Sequence, residues 1–412
     1  MKEIARFGLV LVVFFLWSCQ KEEVGDEQKY QNKHLISATL VNSFTQNQVQ
    51  TFLALINLQY PGAIDFSSAN ISGVKVYYVE YSSTYVNDEP VVLSGLVSVP
   101  DDATRESLVL SFQNGTFVEH SDAPSESRGD EKILMLQAFA GLGFTIVIPD
   151  YIGFGSSEQL DHPYYHKSLF QSTIIDMIVA VQDMDLSGDY PFQLNDEVFL
   201  LGYSLGGWAT LVTHNAIENN PIEGIELIGS ACGAGAYNLN QVKEYLVQQI
   251  DYPQPFYVPY LVKAYQSTGD IQDDINVFFN EPYASRLPSL LDGEHSTAEI
   301  NVQLSSNMQE LLTSGFINSV NTPDNSLWIP INKALTANSQ EAWFNSKPIK
   351  LYHGDQDMHV PYYISEDIYA DFVALGASDE QVELITISDA DHSDGALPMF
   401  IDVINQLINS DD

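Results

Sequence analysis

The chain has few cysteines and therefore few options for covalent cross-links. Only Cys19 and Cys232 occur among its 412 residues. Because Cys19 stands at the end of an apolar N-terminal stretch that has its own explanation, Cys232 has no partner, and a disulfide scaffold is excluded. Cys232 follows the apolar run IELIGSA, so we expect a buried, inert thiol rather than a reactive one.

Basic residues are also scarce. The chain has 16 lysines and arginines against 55 aspartates and glutamates, a formal net charge of -39. A surface of this sign repels nucleic acid and anionic membranes, so we expect no nucleic-acid partner. The acidic residues are spread along the chain, which favours a role in solubility over a dedicated acidic binding site.

Several cofactor motifs are missing. The sequence has no Gly-rich phosphate loop, no CxxC pair, no HExxH and no internal repeat. We therefore predict neither a metal nor an organic cofactor. After the N-terminal stretch, no apolar segment approaches the length of about 20 residues that a membrane-spanning helix needs. Any membrane contact would then depend on the N-terminus.

Residues 1–18 are typical of a signal peptide, with Lys2 and Arg6 before the short apolar stretch GLVLVVFFLW. The stretch ends in LWSC, which resembles a bacterial lipobox and implies lipidation of Cys19. The following QKEE resembles a surface-export signal of Gram-negative bacteria. We expect an outer-membrane lipoprotein that faces outward, anchored only through Cys19, with residues 19–35 as a polar tether. Plain secretion, or release into the periplasm, is the alternative.

Apolar runs and helical patterns alternate through the rest of the chain. Two runs around the polar turn Asn87-Asp88-Glu89 predict an antiparallel hairpin. Six later runs are continuously apolar, as in a parallel sheet covered on both faces, and amphipathic stretches separate several of them. The pattern predicts an α/β fold with eight strands in a mostly parallel sheet flanked by helices. The eight predicted strands are VKVYYVEYSST, PVVLSGLVSVP, SLVLSF, FTIVIPD, EVFLLGYS, IELIGSA, IKLYHGD and VELITIS.

One interval, residues 237–346, has helical patterns but no clear strand. A structureless loop of this length is improbable in a compact domain, so we predict a helical cap inserted after the sixth predicted strand. It divides the core into residues 36–236 and 347–412. Its many aromatic and aliphatic residues pack the core of the cap itself, and some of them are candidates to line an acyl or aromatic pocket.

The pentapeptide GYSLG fits the pattern G-x-S-x-G, with Ser204 at its centre. A predicted strand precedes it and a predicted helix follows, as a nucleophile elbow requires. Gly202 and Gly206 provide space for a tight, strained turn. The backbone N–H of Leu205 opens the helix without an intrahelical partner, so we predict that it stabilises an oxyanion.

A serine hydroxyl needs a base to act as a nucleophile. His392 lies between the last predicted strand and the last predicted helix, and Asp357 follows the strand IKLYHGD. All three residues thus stand at the carboxyl ends of strands, in the order serine, acid, histidine that this fold uses. We therefore predict a catalytic triad of Ser204, Asp357 and His392.

The chain resembles the α/β-hydrolases, and among them the secretory lipase and esterase group. The likeness is carried by LSFQNGTFVEHSDAPS, IPDYIGFGSSEQLDHPYYH, GYSLGGWA and HGDQDMHVP. It implies the α/β-hydrolase fold, and the group's pattern G-x-x-D-x-x-V-P selects Asp357 over Asp355 as the acid. His359 is too close to the acid in sequence to serve easily as the base, and His353 is expected to have a packing or supporting role.

The second oxyanion donor is expected in the loop after the third predicted strand. Gly115 allows backbone to approach a substrate closely, and the N–H of Thr116 is the predicted donor. Asn114 either adds a side-chain hydrogen bond or holds the loop. Tyr151, at the end of the fourth predicted strand, either flanks the pocket or makes a structural hydrogen bond.

These features predict a hydrolase that cleaves carboxylic esters of small-molecule or lipid-like substrates through an acyl-enzyme on Ser204. Two alternatives remain open. A serine peptidase for short peptides would use the same triad and would need acidic residues in the cap to hold a substrate amine. A non-catalytic surface-binding protein would retain the scaffold without the chemistry.

Overall fold

The computed structural model describes residues 31–59, 64 and 70–409. Its strands are β1 Leu35–Phe44, β2 Val74–Thr84, β3 Pro90–Pro100, β4 Glu106–Gln113, β5 Phe144–Pro149, β6 Gln193–Tyr203, β7 Glu226–Gly233, β8 Ile349–Gly354 and β9 Val382–Ile387. Its α-helices are α1 Gln46–Gln59, α2 Glu131–Phe139, α3 Lys167–Ser187, α4 Leu205–Asn219, α5 Leu239–Leu246, α6 Tyr257–Ser267, α7 Tyr283–Leu290, α8 Thr297–Asn301, α9 Met308–Leu311, α10 Ser314–Ile317, α11 Ile329–Asn338, α12 Tyr363–Ala374 and α13 Ala396–Asn409.

The strands form one sheet in the order β1-β2-β3-β5-β4-β6-β7-β8-β9. The predicted hairpin is confirmed: β2 pairs antiparallel with β3, from Val74 opposite Pro100 to Thr84 opposite Pro90. β1 and β5 also pair antiparallel with their neighbours β2 and β3. From β5 to β9 all pairs are parallel. Parallel strands place their carboxyl ends at one edge of the sheet, which is where this fold class binds ligands.

Helices cover both faces of the sheet, which explains why the central strands are apolar throughout. Every residue of β5 is buried. One face packs against a core that includes Ile174 of α3 and Leu211 of α4. The opposite face packs against Val49 of α1 and Val403 of α13. Burial on two faces removes the alternation of polar and apolar residues that a half-exposed strand would show.

The expectation of eight strands is wrong by one, because β1 forms an additional edge strand paired with β2. Within β1 only Leu35 is buried, and most of its other residues are polar or partly exposed. An edge strand in this setting needs neither a continuous apolar run nor strict alternation. The sequence LISATLVNSF therefore carries no clear strand signal, and pairing with β2 decides its conformation.

The residues just before β1 are held against the helical layer. The carboxylate of Asp183 in α3 accepts hydrogen bonds from the backbone N–H groups of Lys33, His34 and Leu35, at 2.8, 2.7 and 2.9 Å. The predicted signal peptide, Cys19 and residues 20–30 of the predicted tether lie outside the described residues. Within the described ranges, no helix is long and apolar enough to cross a membrane.

Between β7 and β8 the chain forms helices α5 to α11, and this segment adds no strand to the sheet. Its two ends are tied together near α4. The indole N–H of Trp208 donates to the carbonyl of Asn338 at 3.0 Å, and the backbone N–H of Gln340 donates to the carbonyl of Tyr237 at 2.8 Å. These bonds join the insertion to the helix that starts next to Ser204.

Candidate active site

Ser204 occupies a strained turn between β6 and α4. Its backbone has φ 62° and ψ -123°, a region that residues with a side chain rarely adopt. A Cβ atom on Gly202 would lie 2.7 Å from the carbonyl oxygen of Gln113, and one on Gly206 would overlap the same oxygen. Only glycine fits at these two positions, so the turn has the close packing that the sequence predicts.

The structure brings the three predicted triad residues together. His392 Nε2 lies 2.9 Å from Ser204 Oγ, and His392 Nδ1 lies 2.5 Å from Asp357 Oδ2. Because an ionised carboxylate only accepts hydrogen bonds, Nδ1 carries the proton of the neutral ring, and Nε2 accepts from the serine hydroxyl. This arrangement can move the hydroxyl proton onto His392.

The carboxylate of Asp357 is saturated with donors. Oδ2 accepts from His392 and, at 3.1 Å, from His353 Nε2. Oδ1 accepts from the backbone N–H groups of His359 and Val360, at 2.8 and 3.0 Å. Burial alone would raise the pKa of this carboxyl, but the hydrogen bonds from His353 and His392 outweigh it and hold the pKa well below its usual range. Asp357 is therefore a charged acceptor that fixes the orientation of His392.

The neighbouring polar residues have other positions. Asp355 is exposed, and its Oδ1 accepts from the backbone N–H of Asp389 at 2.8 Å. His353 is buried, and its Nε2 faces two acceptors, Asp357 and the carbonyl of Val360, so Nε2 carries the proton. Its Nδ1 then accepts from the hydroxyl of Ser365 at 2.7 Å. His353 thus contacts the acid, and Ser365, which the sequence analysis did not single out, holds His353.

The loop after β4 passes beside Ser204. A Cβ atom on Gly115 would lie 3.9 Å from the Cβ of Ser204. Among the hydrogen bonds of the described residues, none uses the backbone N–H of Thr116 or of Leu205 as donor. Leu205 is the first residue of α4, so the positive end of the helix dipole adds to its N–H. The two predicted oxyanion donors therefore have N–H groups that no protein acceptor uses.

Asn114 and Tyr151 hold this loop in place. The hydroxyl of Tyr151 donates to the carbonyl of Asn114 at 3.1 Å, and the side-chain amide of Asn114 makes a long contact of 3.4 Å with the carbonyl of Pro149. Tyr151 is buried, has φ 69°, and packs against Phe170 with ring centroids 4.8 Å apart. These contacts connect the oxyanion loop to β5 and to the residues that follow it.

A cavity lies next to Ser204, and the side chain of Ser204 forms part of its wall. Most of its wall comes from the insertion between β7 and β8, with contributions from the core. Its lining residues are Tyr164, Tyr165, Ser204, Ala236, Leu239, Val242, Lys243, Leu246, Val247, Tyr252, Tyr257, Val258, Leu261, Val262, Leu312, Phe316, Ile331, Leu335, His359 and Val360.

Few of these wall residues have a signal in the sequence. Two of them, Tyr164 and Tyr165, belong to the stretch HPYYH, which carried part of the family likeness. The hydroxyl of Tyr164 lies 2.9 Å from Thr116 Oγ1, which joins the wall to the oxyanion loop. The residues from the insertion have no comparable motif, because helix packing alone decides which of their side chains face the cavity.

Two further features concern the free thiol and the potential metal ligands. Cys232 is buried, and burial raises the pKa of its thiol to about 12, so the thiol stays protonated and inert as predicted. Within the part of the chain that the structure describes, no group of three or more histidine, cysteine, aspartate or glutamate side chains is placed to hold a metal ion.

Comparison with known structures relates this architecture to hydrolases. A putative hydrolase from Legionella pneumophila has a TM-score of 0.78 and 23% identity, over 92% of this chain and 98% of its own. The rice cell wall degrading esterase LipA from Xanthomonas oryzae has a TM-score of 0.77 and 23% identity, over 91% and 97%. Lipase A from Candida antarctica has a TM-score of 0.61 and 16% identity, over 87% of this chain and 77% of its own.

No protein-family model and no curated protein sequence matches the chain. The structural likenesses, together with the mostly parallel sheet and its helical layers, show that the chain has the α/β-hydrolase fold. The expected fold class is therefore confirmed, although the expected number of strands is not. Sequence identities of 16–23% support a shared fold and leave the activity open. The activity therefore has to be inferred from the geometry of the site.

Proposed function

We propose that the chain is a serine hydrolase that cleaves carboxylic esters through an acyl-enzyme on Ser204. The observation that carries this proposal is the hydrogen-bonded series from Asp357 through His392 to Ser204, with the serine on a strained turn. A backbone conformation of this kind costs about 1–3 kcal/mol and persists where a function requires it. The esterases and lipase among the structural neighbours support the same reaction class.

In the first half of the reaction, Ser204 Oγ attacks the ester carbonyl while His392 Nε2 accepts its proton. The charge of Asp357 stabilises the imidazolium that forms. The backbone N–H groups of Leu205 and Thr116 donate to the oxyanion, and one such donor is worth about 3 kcal/mol in the transition state. His392 then gives its proton to the alcohol, which leaves.

In the second half, water attacks the acyl-enzyme. His392 accepts a proton from this water and returns it to Ser204 when the acid leaves, so the residues end in their starting states. Apart from the ester and the water, every group that acts in these steps belongs to a residue of the chain. The cavity next to Ser204 is lined mainly by apolar and aromatic side chains, which suits an acyl chain better than a polar acid. We propose that residues 237–346 form a cap that gives this cavity its shape.

The charged residues of the cavity wall help to distinguish an esterase from a peptidase. A peptidase for short peptides needs a carboxylate near the triad to hold the substrate amine. Among the described residues that line the cavity there is no aspartate or glutamate, and the one charged residue is Lys243. A cation at this position repels an ammonium group. The wall therefore favours neutral or anionic substrates, and ester hydrolysis is the better supported function.

Two measurements test the assignment. The purified protein should react with a fluorophosphonate probe and should hydrolyse p-nitrophenyl esters, whereas S204A should do neither while keeping its circular dichroism spectrum and melting temperature. Comparing esters of increasing chain length with aminoacyl p-nitroanilides separates the two substrate classes. Esterase activity retained in folded S204A would contradict the proposal. A wild-type protein that binds no probe would favour the non-catalytic surface-binding alternative.

We also propose that the protein is exported and anchored at the outer membrane through a lipid on Cys19. The support is the sequence alone: the apolar stretch before Cys19, the LWSC ending and the QKEE that follows. Metabolic labelling with a palmitate analogue should mark the wild-type chain and not C19S. Loss of the enzyme from intact cells treated with an external protease would support exposure at the surface, and protection from the protease would contradict it.

A further inference from the structure

His359 lies where the triad meets the cavity. Its ring centroid is 4.7 Å from that of His392, with the two planes at 41°, and it lines the same cavity as Ser204. The next residue toward the N-terminus, Met358, has 56% of its surface exposed. His359 is therefore a wall residue that packs directly on the imidazole of His392.

The backbone of His359 is fixed on both sides. Its N–H donates to Asp357 Oδ1 at 2.8 Å, and its carbonyl accepts from the hydroxyl of Tyr252 at 2.9 Å. The ring of Tyr257 packs edge-on against the imidazole, with centroids 6.4 Å apart. A main-chain movement that withdrew this ring would break a hydrogen bond to the acid. The ring is thus a permanent part of the wall.

The imidazole of His359 has no hydrogen-bond partner in the part of the chain that the structure describes. Nδ1 is closed off from solvent without a partner, and no bond to Nε2 is formed. A polar atom in this state is unfavourable, because it has lost water and gained no protein bond. Nε2 is the ring nitrogen that is not closed off, so it is the atom that a ligand in the cavity can bond.

The charge state of the ring suits a neutral ligand group. Burial lowers the pKa of His359 and the neighbouring His392 lowers it further, against the opposing charges of Asp357 and Asp391. A neutral imidazole offers one N–H donor and one acceptor nitrogen. A hydroxyl can donate to Nε2 or accept from it, so it is a substrate group that matches this nitrogen in both tautomers of the ring.

The side of the substrate that meets His359 follows from the reaction. The leaving alcohol takes its proton from His392 Nε2, so it must lie against that imidazole when the bond breaks. His359 packs on the same imidazole, whereas the apolar side chains of the insertion line most of the cavity. This contact with His392 favours a position of His359 beside the alcohol.

We propose that His359 determines specificity by hydrogen bonding to a hydroxyl on the leaving alcohol, so that the preferred substrates are apolar acyl esters of diols or polyols with a free hydroxyl near the ester oxygen. This inference rests on the proposed ester hydrolysis at Ser204. It adds a substrate-contacting residue outside the triad and a class of alcohol.

The test compares 2-hydroxyethyl butyrate with propyl butyrate, which have the same acyl group and the same number of heavy atoms in the alcohol. Released butyric acid is titrated at constant pH for the wild type, H359L, H359Q and, as a control at the neighbouring wall position, Y257F. The ratio of kcat/KM for the two esters should fall about tenfold in H359L, the value of one hydrogen bond. H359Q, whose amide both donates and accepts, should keep the ratio within about threefold.

A role of His359 in packing alone would lower the activity toward both esters together and leave their ratio unchanged. An unchanged ratio in H359L would therefore overturn the inference, even if both activities fell. So would a ratio that changes in Y257F and not in H359L. Failure of the proposed function has a different signature: the wild type would hydrolyse neither ester, or S204A would hydrolyse both.

Discussion

The hydrogen bonds around Asp357 allow a specific prediction for the substitution D357N. The two oxygens of the carboxylate have different partners. Oδ1 accepts from two backbone N–H groups, those of His359 and Val360, which cannot rotate away. An asparagine at this position must leave its carbonyl oxygen there. Its NH₂ group then points at His392 Nδ1 and His353 Nε2, where the wild type has Oδ2.

An NH₂ group facing His392 Nδ1 forces the ring to change tautomer. Nδ1 then accepts, the proton moves to Nε2, and Nε2 faces the Ser204 hydroxyl as a donor. It can no longer take the serine proton. We expect kcat to fall by about 10³–10⁴-fold, which corresponds to about 4–5.5 kcal/mol in the barrier. His353 keeps its bond to the carbonyl of Val360, so the expected loss of folding stability is about 1–3 kcal/mol.

The assay measures kcat and KM for p-nitrophenyl butyrate at pH 8, with thermal unfolding followed by circular dichroism on the same samples. The matched control is D355N. Its side-chain oxygen can still accept from the backbone N–H of Asp389, and it lies on the exposed side of the loop. We expect D355N to stay within about threefold of the wild type, as is typical of surface changes. Activity of folded D357N within tenfold of the wild type would refute this account of Asp357.

Three further changes test the site and the fold. G206A would place a methyl group on the Gln113 carbonyl and should cost about 3 kcal/mol or more in the free energy of unfolding, whereas G115A, with no contact closer than 3.5 Å, should cost less than about 1 kcal/mol in chemical denaturation. S204G should have a free energy of unfolding about 1 kcal/mol higher than that of S204A, because glycine relieves the strain of the positive φ at this position. Chemical denaturation of the two variants measures this difference. Burial lowers the pKa of His162 from 6.5 to about 4. Between pH 6.5 and pH 4 this residue is therefore more fully protonated in the unfolded chain than in the folded one. Its contribution to the free energy of unfolding falls by about 2 kcal/mol as the pH is lowered from 7 to 5. H162N should remove that share, and an equal pH dependence in both proteins would contradict it.

Much of the candidate site was visible in the sequence because its signals are local. Ser204 was found from a strand, a five-residue motif and a helix, and the turn geometry requires the glycines of that motif. Asp357 and His392 were found because each follows a strand. In a parallel sheet the carboxyl ends of strands meet at one edge, so residues far apart in the sequence can be expected near each other. The structure places both within hydrogen-bond distance of the next member of the series.

The residues that were missed depend on contacts between distant segments. β1 forms because it pairs with β2, whereas its own sequence has only a weak alternation of polar and apolar residues. The supporting role expected of His353 takes the form of a hydrogen bond to Asp357, four residues further on, which the turn after β8 allows. Ser365, which holds His353, lies on α12 and had no signal of its own.

The sequence by itself determined eight of the nine strands, the position of the strained serine and the three residues of the proposed triad. Each depends on a short pattern or on the rule that parallel strands end together. Only the tertiary structure decided which side chains of the helical insertion face Ser204. Helix packing turns each apolar residue either inward or toward a neighbouring helix, and hydropathy is the same in both cases. It also placed His359 against His392, a contact that depends on two loops meeting across the end of the sheet.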